Sequence, residues 1–234
     1  MRLLMDGLVR VNDQVVYKAS ETVRTADRIS IKEKNPYVSR GGLKIKNAFQ
    51  IFSICIEGLN IVDVGISTGG FTDYVLKNGA KQVLGIDVNI DQVDYHLKQD
   101  PRLILLKKNA REICRTDLPF DPDLFVMDLS FISILKIMPA LTVFPDSRIL
   151  SLIKPQFEAP KQRVGKGGII ESIDDRIAIL LDVKKRIESL KFGVTDVTKA
   201  GIKGQKGNQE YFFMMKYGTN SINDDKIVAE IKDV

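Results

Sequence analysis

Four stretches of this 234-residue sequence set glycine and polar residues where a nucleoside could be gripped. The first, Asp63-Val64-Gly65-Ile66-Ser67-Thr68-Gly69-Gly70-Phe71, ends an apolar run and opens a segment of helical period. Glycines at such a strand-to-helix turn let a ligand approach backbone amides closely, and the start of the helix offers unpaired N–H groups. An adenosyl cofactor is expected there. A dinucleotide calls for Gly-x-Gly-x-x-Gly, and Gly65 followed by Gly69 and Gly70 does not fit that fingerprint. Asp87, with Val88 beside it, ends the next apolar run twenty-two residues after Gly65, where a carboxylate can accept from both ribose hydroxyls. Asn109 and Ala110 follow the third run, at the place where an adenine edge is read, and Asp128 follows the fourth, facing the reacting centre. Each feature also has a plainer reading, as a tight turn or a helix cap. Their joint position at the carboxyl ends of successive strands, where open α/β sheets bind ligands, favours the pocket.

The elements that must hold these residues are legible as strand-length apolar runs alternating with helix-period segments from residue 59 onward. Strands are expected over 59–65, 82–88, 103–107, 123–129, 148–154, 194–200 and 210–217, and helices over 69–78, 90–99, 132–144 and 173–190. In the last helix Ile177, Leu180, Leu181, Lys184 and Ile187 recur at helical spacing. A helix over 39–54, with Ser39 as its N-cap and Leu43, Ala48, Phe49 and Phe52 inward, leads into the first strand. This is an α/β pattern, a doubly wound, mostly parallel seven-stranded sheet. Residues 1–36 differ: two short β-runs flank Asn12-Asp13, and a third covers 28–32, making a small β-rich module. The division expected is 1–36, 37–218 and a tail over 219–234 that forms a loose helix or stays disordered.

Composition narrows the chemistry. The 44% of hydrophobic residues suffice for a core, and no apolar run approaches the roughly 20 residues of a membrane-spanning helix. No signal peptide opens the chain, since Arg2, Asp6 and Arg10 fall within its first ten residues, and a cytoplasmic location is expected. Residues 1–46 hold ten Lys and Arg against five Asp and Glu, which accounts for the whole net charge of +5 and points to an anionic partner. Cys55 and Cys114 lack the spacing of a zinc site or disulfide framework and are expected to be reduced core thiols. The single histidine, His96, lies in a polar helical stretch and is expected on the surface. Histidine triads and multi-histidine metal sites are thereby disfavoured, and no metal is expected; catalysis is left to Lys, Asp and Glu. The Gly-rich loops carrying Lys161, Arg163 and Lys166, and Lys203 and Lys206, flank the same strand ends. They read either as RNA phosphate grips or as solvated loops.

Five blocks taken in order carry a resemblance. They are Tyr37-Val38-Ser39-Arg40-Gly41-Gly42-Leu43-Lys44, the stretch from Asp63 to Asp73, Asp128-Leu129-Ser130-Phe131-Ile132-Ser133, Leu152-Ile153-Lys154-Pro155-Gln156-Phe157-Glu158, and Lys206-Gly207-Asn208-Gln209-Glu210. In these the sequence resembles the TlyA family, known both as hemolysins and as ribosomal RNA 2′-O-methyltransferases, with an FtsJ-like catalytic domain. The resemblance implies a class I (Rossmann-like) methyltransferase fold and S-adenosyl-L-methionine held by Asp63, Gly65, Ser67, Thr68, Gly69, Gly70, Phe71, Asp87, Val88, Asn109, Ala110 and Asp128. It implies a catalytic set of Lys44, Asp128, Lys154 and Glu210. Lys154 would be the base for a ribose hydroxyl, its pKa lowered by desolvation beside Lys44, with Asp128 and Glu210 orienting amines and sugar. Ribosomal RNA or a ribosomal subunit is the implied partner, with a cytidine ribose as target. Arg10, Lys18 and Arg40 join the loop cations as implied RNA contacts. The stretch from Gly7 to Val16 resembles the second half of an S4 RNA-binding domain. The two helices that precede it in such domains have no counterpart here, which is expected to weaken RNA affinity.

The family's double name leaves two further readings: a membrane-active hemolysin, and an RNA-binding protein whose methyltransferase fold is not catalytic. No amphipathic or apolar segment supports the first. Micromolar protein is therefore expected to release no dye from loaded liposomes, and release above the buffer control would revive the hemolysin.

Overall fold

The structure, a computed structural model, describes residues 4, 7–31 and 35–232, with Lys166 described by its backbone alone. Lys32, expected in the third β-run, and the Lys166 side chain lie outside the described residues. The chain divides into two compact units, Met1–Pro36 and Tyr37–Val234.

In the first unit, strands β1 (Val9–Val11), β2 (Gln14–Val15) and β3 (Ile29–Ile31) form an antiparallel sheet in the order β2-β1-β3. Asn12 and Asp13 join β1 to β2 with φ of 48° and 68°. Two successive residues at positive φ give a hairpin turn that follows the natural strand twist, and Asn and Asp tolerate that conformation best after glycine. Asn12 also donates to Asp27 Oδ1 at 2.8 Å and accepts from the Arg28 amide at 2.9 Å, which binds the turn to the approach of β3.

The second unit is a seven-stranded sheet in the order β6-β5-β4-β7-β8-β10-β9. Its strands are β4 (Asn60–Val64), β5 (Gln82–Asp87), β6 (Leu103–Lys107), β7 (Leu124–Met127), β8 (Arg148–Ile153), β9 (Phe192–Lys199) and β10 (Tyr211–Tyr217). All neighbours are parallel except β10, which runs antiparallel to both β8 and β9. All seven expected strands form, with ends shifted by at most two residues.

Strand alternation sends side chains into two cores. Ile61, Val126, Leu150, Leu152 and Phe212 pack beneath helices α1 (Gly41–Ile51), α2 (Gly70–Lys77) and α3 (Tyr95–Lys98) through Ile45, Phe49, Phe71, Val75 and Leu97. Val62, Val64, Phe125, Met127 and Phe213 face the other way, onto α4 (Met138–Leu141), α6 (Ile173–Ser189) and α7 (Asp224–Lys232) through Met138, Leu180, Ile187, Ile227 and Ile231. Each fully buried aliphatic or aromatic side chain contributes about 1.5–3 kcal/mol of transfer free energy. Short α5 (Pro155–Glu158) follows β8.

Several expectations are corrected. Helix α1 starts at Gly41 with Arg40 in the capping position, and Ser39 Oγ accepts only the Gly41 amide, at 3.3 Å. Ala48 and Phe49 are buried as expected, Leu43 and Phe52 are half-buried, and Ile45 and Lys44 complete the inward face. The 90–99 segment breaks into a 3-10 turn, Ile90–Gln92, and α3, because Asn89 and Asp94 each cap the residue two ahead of them. The 132–144 segment likewise breaks, since Pro139 opens a new helix after the turn Ile134–Lys136. Cys55 and Cys114 are free but exposed, not in the core. Residues 219–234 carry α7, whose Ile227 and Ile231 are buried in the second core, so its described part is a docked helix, not a loose one.

Helices α1 and α2 meet at their glycines. A Cβ on Gly70 would lie 2.1 Å from Ser39 Oγ and 3.1 Å from both Gly41 Cα and Gly42 N. Gly70→Ala should therefore cost about 1–3 kcal/mol by overpacking. A lowered urea midpoint with unchanged slope is the expected result, and an unchanged midpoint would mean the two helices separate freely.

Candidate active site

The chain leaves β4 through Gly65 at φ 82°, Ser67 at φ 51° and Gly69 at φ 95°, a run of left-handed residues that turns it sharply into α2. A Cβ at Gly65 would sit 3.1 Å from Leu129 and 3.2 Å from the Asp128 carbonyl, so glycine keeps the ends of β4 and β7 together here. Beside this turn opens a cavity of about 360 Å³ lined by Gly65, Ser67, Asp87, Val88, Asn109, Ala110 and Asp128, with Ile86, Leu129, Ile132 and Ile137 as its apolar side. A smaller hollow of about 70 Å³ shares Gly65, Ser67 and Asp128 and adds Ser39, Gly41, Asp63, Thr68, Gly70 and Phe71. Eleven of the twelve residues named for the cofactor line these two hollows; Gly69 lines neither and lies in the turn between Thr68 and Gly70. Ser39, Gly41, Lys108, Arg111 and Ser130 also line them without having been named for the cofactor.

Local bonding fixes the polar groups. Asp87 accepts from the Ser67 amide through one oxygen and from the Asn89 amide through the other, both at 3.0 Å, which aims the carboxylate while each oxygen keeps a free lone pair. Asn109 caps the next turn through the Arg111 amide. Lys108 is held by both oxygens of Asp117, at 2.7 and 2.6 Å; that bond and those from Cys114 bring the Asp117 carboxyl down to about 2. An apolar wall opposite aimed hydrogen-bond acceptors fits a purine nucleoside. Among the described residues no group of three or more His, Cys, Asp or Glu is placed to hold a metal ion.

At the same sheet edge the four candidate catalytic residues form two lysine–carboxylate pairs. Lys44 of α1 donates to Glu210, just before β10, at 2.6 Å, and the two are 9% and 3% exposed. Lys154, directly after β8 and 8% exposed, lies 2.6 Å from Asp128 Oδ1 and donates to Ser130 Oγ at 2.8 Å. The Asp128 contact is off the hydrogen-bonding axis of the carboxylate, so Ser130 takes the directed bond. Each of the two lysines thus has a carboxylate partner of its own. Phe131, at φ 65° and 89% exposed, stands outside this pair with its ring 5.1 Å from Phe157. Glu158 accepts from Ser133 Oγ at 2.5 Å and from the Ile134 amide at 2.9 Å, clipping the 129–134 loop to α5, and burial pushes its carboxyl up.

Of the residues named for RNA, Arg40 donates to the Lys203 carbonyl at 2.6 Å, and Lys161, Arg163, Lys203 and Lys206 are exposed on the two loops. Arg10 is half-buried and Lys18 exposed in the first unit.

Asp63 is a buried acid of the small hollow. One oxygen accepts from the Thr72 amide and hydroxyl at 3.1 and 2.7 Å, while Oδ1 is buried with no partner. Burial raises its pKa from 3.8 to about 7; the Thr72 bonds oppose this and the Asp128 charge adds to it. A folded-state value above the unfolded one favours the protonated native form, so Asp63 adds stability in full below 3.8 that is lost as pH rises through about 7. Asp63→Asn should remove that loss. Relative to the variant, the wild-type denaturation midpoint is expected to fall across this window, and parallel pH curves would show that Asp63 is not a buried acid.

Comparison with known proteins agrees with this architecture. The model for FtsJ-like methyltransferases matches residues 37–217. Hemolysin A of Brachyspira hyodysenteriae is 39% identical over 215 residues, covering 89% of each chain. The 16S/23S rRNA (cytidine-2′-O)-methyltransferase TlyA of Mycobacterium tuberculosis is 35% identical over 223 residues, covering 93% of this chain and 83% of that one. A solved Streptococcus thermophilus protein, provisionally named a hemolysin, superposes with a TM-score of 0.80 at 32% identity, covering 99% of this chain and 88% of that one. A SAM-dependent methyltransferase from Aquifex aeolicus shares the fold at a TM-score of 0.53 and 19% identity, covering 77% and 93%. The chain belongs to the FtsJ-like methyltransferases, in the TlyA and hemolysin A family.

Proposed function

We propose that this chain transfers a methyl group from S-adenosyl-L-methionine to a ribose 2′-hydroxyl of ribosomal RNA, on cytidine as the names of its TlyA relatives indicate, in the cytoplasm. The observation that carries the reading is the buried pairing of Lys154 with Asp128 at the edge of the nucleoside-sized cavity, with Lys44 and Glu210 paired at the same sheet edge.

The cavity residues fit the cofactor. Its apolar wall suits adenine, Asp87 the ribose hydroxyls, and the unpartnered Oδ1 of Asp63 a positively charged amino group beside the Gly70 helix start. When bound, the cofactor supplies an electrophilic methyl on a sulfonium. A ribose hydroxyl is a weak nucleophile and must lose its proton as it attacks in line. Lys154 is the group that takes that proton, while Ser130 and Asp128 hold its Nζ beside the cavity they line. Lys44 and Glu210 orient the sugar. Phe131 offers an exposed ring for a base drawn out of an RNA stack. Residues 37–218 are assigned to catalysis, and 1–36, as an S4-like module with Arg10 and Lys18, to RNA anchoring.

The test is transfer of tritiated methyl from S-adenosyl-L-methionine to purified ribosomal subunits. Alkali-resistant label at one linkage is expected with the wild-type chain, and loss of at least about a hundredfold in rate with Lys154→Ala at unchanged RNA affinity. Full activity in Lys154→Ala would remove it as the base. Cofactor binding without any label in the wild type would leave a non-catalytic RNA-binding protein.

A further inference from the structure

The two basic loops of the second unit are separate in sequence, yet one side chain fastens them together. Asn208 is 3% exposed, and its Oδ1 accepts from the Ile170 amide at 2.9 Å while its Nδ2 donates to the Gly168 carbonyl at 2.7 Å. Both partners lie where the Lys161–Gly168 loop leads into α6. Its own carbonyl accepts from Gly204 at 2.8 Å, closing the loop that carries Lys203 and Lys206. One residue therefore serves both loops: its side-chain amide satisfies the Ile170 amide and the Gly168 carbonyl of the first, which would be left unpaired without it, and its backbone carbonyl closes the second.

The second loop is held from beneath as well. A Cβ on Gly204 would sit 2.5 Å from Glu210 Oε1, and one on Gly201 would meet Asn47 of α1 at 3.1 Å. Arg40 holds the Lys203 carbonyl. The loop is thus seated on the Lys44–Glu210 pair, and Asn208 extends that seat to the neighbouring loop.

We infer that Asn208 is a positioning residue that joins Lys161 and Arg163 with Lys203 and Lys206 into one phosphate-binding rim for structured RNA beside Glu210. The inference rests on the RNA methyltransferase reading and adds to it the device that aligns the grip. Asn208 touches no reacting atom. Separate loops would each bind phosphate loosely, whereas a fixed rim binds several phosphates in one register, so that affinity depends steeply on salt.

The test compares wild type, Asn208→Ala and Asn208→Asp in methyl transfer to purified ribosomal subunits over a range of salt. The Asp variant keeps the acceptor for Ile170 and loses the donor to Gly168. Both variants should raise KM for subunits roughly tenfold, lower kcat less than about threefold, and flatten the slope of log KM against log salt by about 1–2. Calorimetric S-adenosyl-L-methionine affinity should stay at the wild-type value. A loss confined to kcat, or an unchanged KM and salt slope in a variant that binds the cofactor, overturns the inference. On the wild-type chain, hydrogen exchange at Ile170 should be slow, and fast exchange overturns it even if neither variant folds. Absence of label with wild-type protein would instead strike the methyltransferase reading.

Discussion

A buried lysine and a buried glutamate cannot both leave water unless they meet, and in this fold Lys44 and Glu210 meet across 166 residues of sequence. Neither has solvent to fall back on, so removing one partner strands the other at a cost of about 3–5 kcal/mol. The pair decides where α1 lies on the sheet and where the β9–β10 hairpin turns. That hairpin sits at the far end of the β7-β8-β10-β9 half of the sheet, while the ligand cavity lies at the β4–β7 junction. The ion pair makes these two regions one surface. Lys154 and Asp128 repeat the arrangement between neighbouring strand ends, and their alignment depends on β7 and β8 being in parallel register.

Glycine makes the rest of this edge possible. Gly41 and Gly42 at the start of α1 face Gly70 at the start of α2, and the missing side chains let two helix N-termini approach the small hollow together. The apolar strand alternation below does the opposite work, holding a stiff floor from which Asp63 projects, braced by Thr72.

The sheet was readable because its strands are nearly continuous apolar runs, and the nucleoside cavity because its polar residues fall one after another at strand ends. Less was readable where capping competes with hydrophobic period. Asn89, Asp94, Ser133 and Pro139 cut two expected helices into turns, since each stabilises a local start at the expense of continuity. The pairing of the lysines was hidden too: spacing along a chain says nothing about which carboxylate reaches which amine across the sheet. Ser39 illustrates the same limit, since its sequence context reads as a helix cap and its place in the fold is against Gly70. The docking of α7 was missed because Ile227 and Ile231 make a single i, i+4 pair in a nine-residue helix, too short a pattern to stand out.

The separation of Lys44 from Glu210 also has a history in the making of the protein. A ribosome adds roughly 5–20 residues each second, so about 8–33 s pass between the synthesis of the two partners. Throughout that interval α1 carries an ammonium that cannot be buried, and the strands that emerge in between must wait for the last hairpin before the edge can close. An interrupted chain therefore has the glycine turn and the cavity floor without a finished centre. The edge of the sheet therefore closes only once Glu210 has been made.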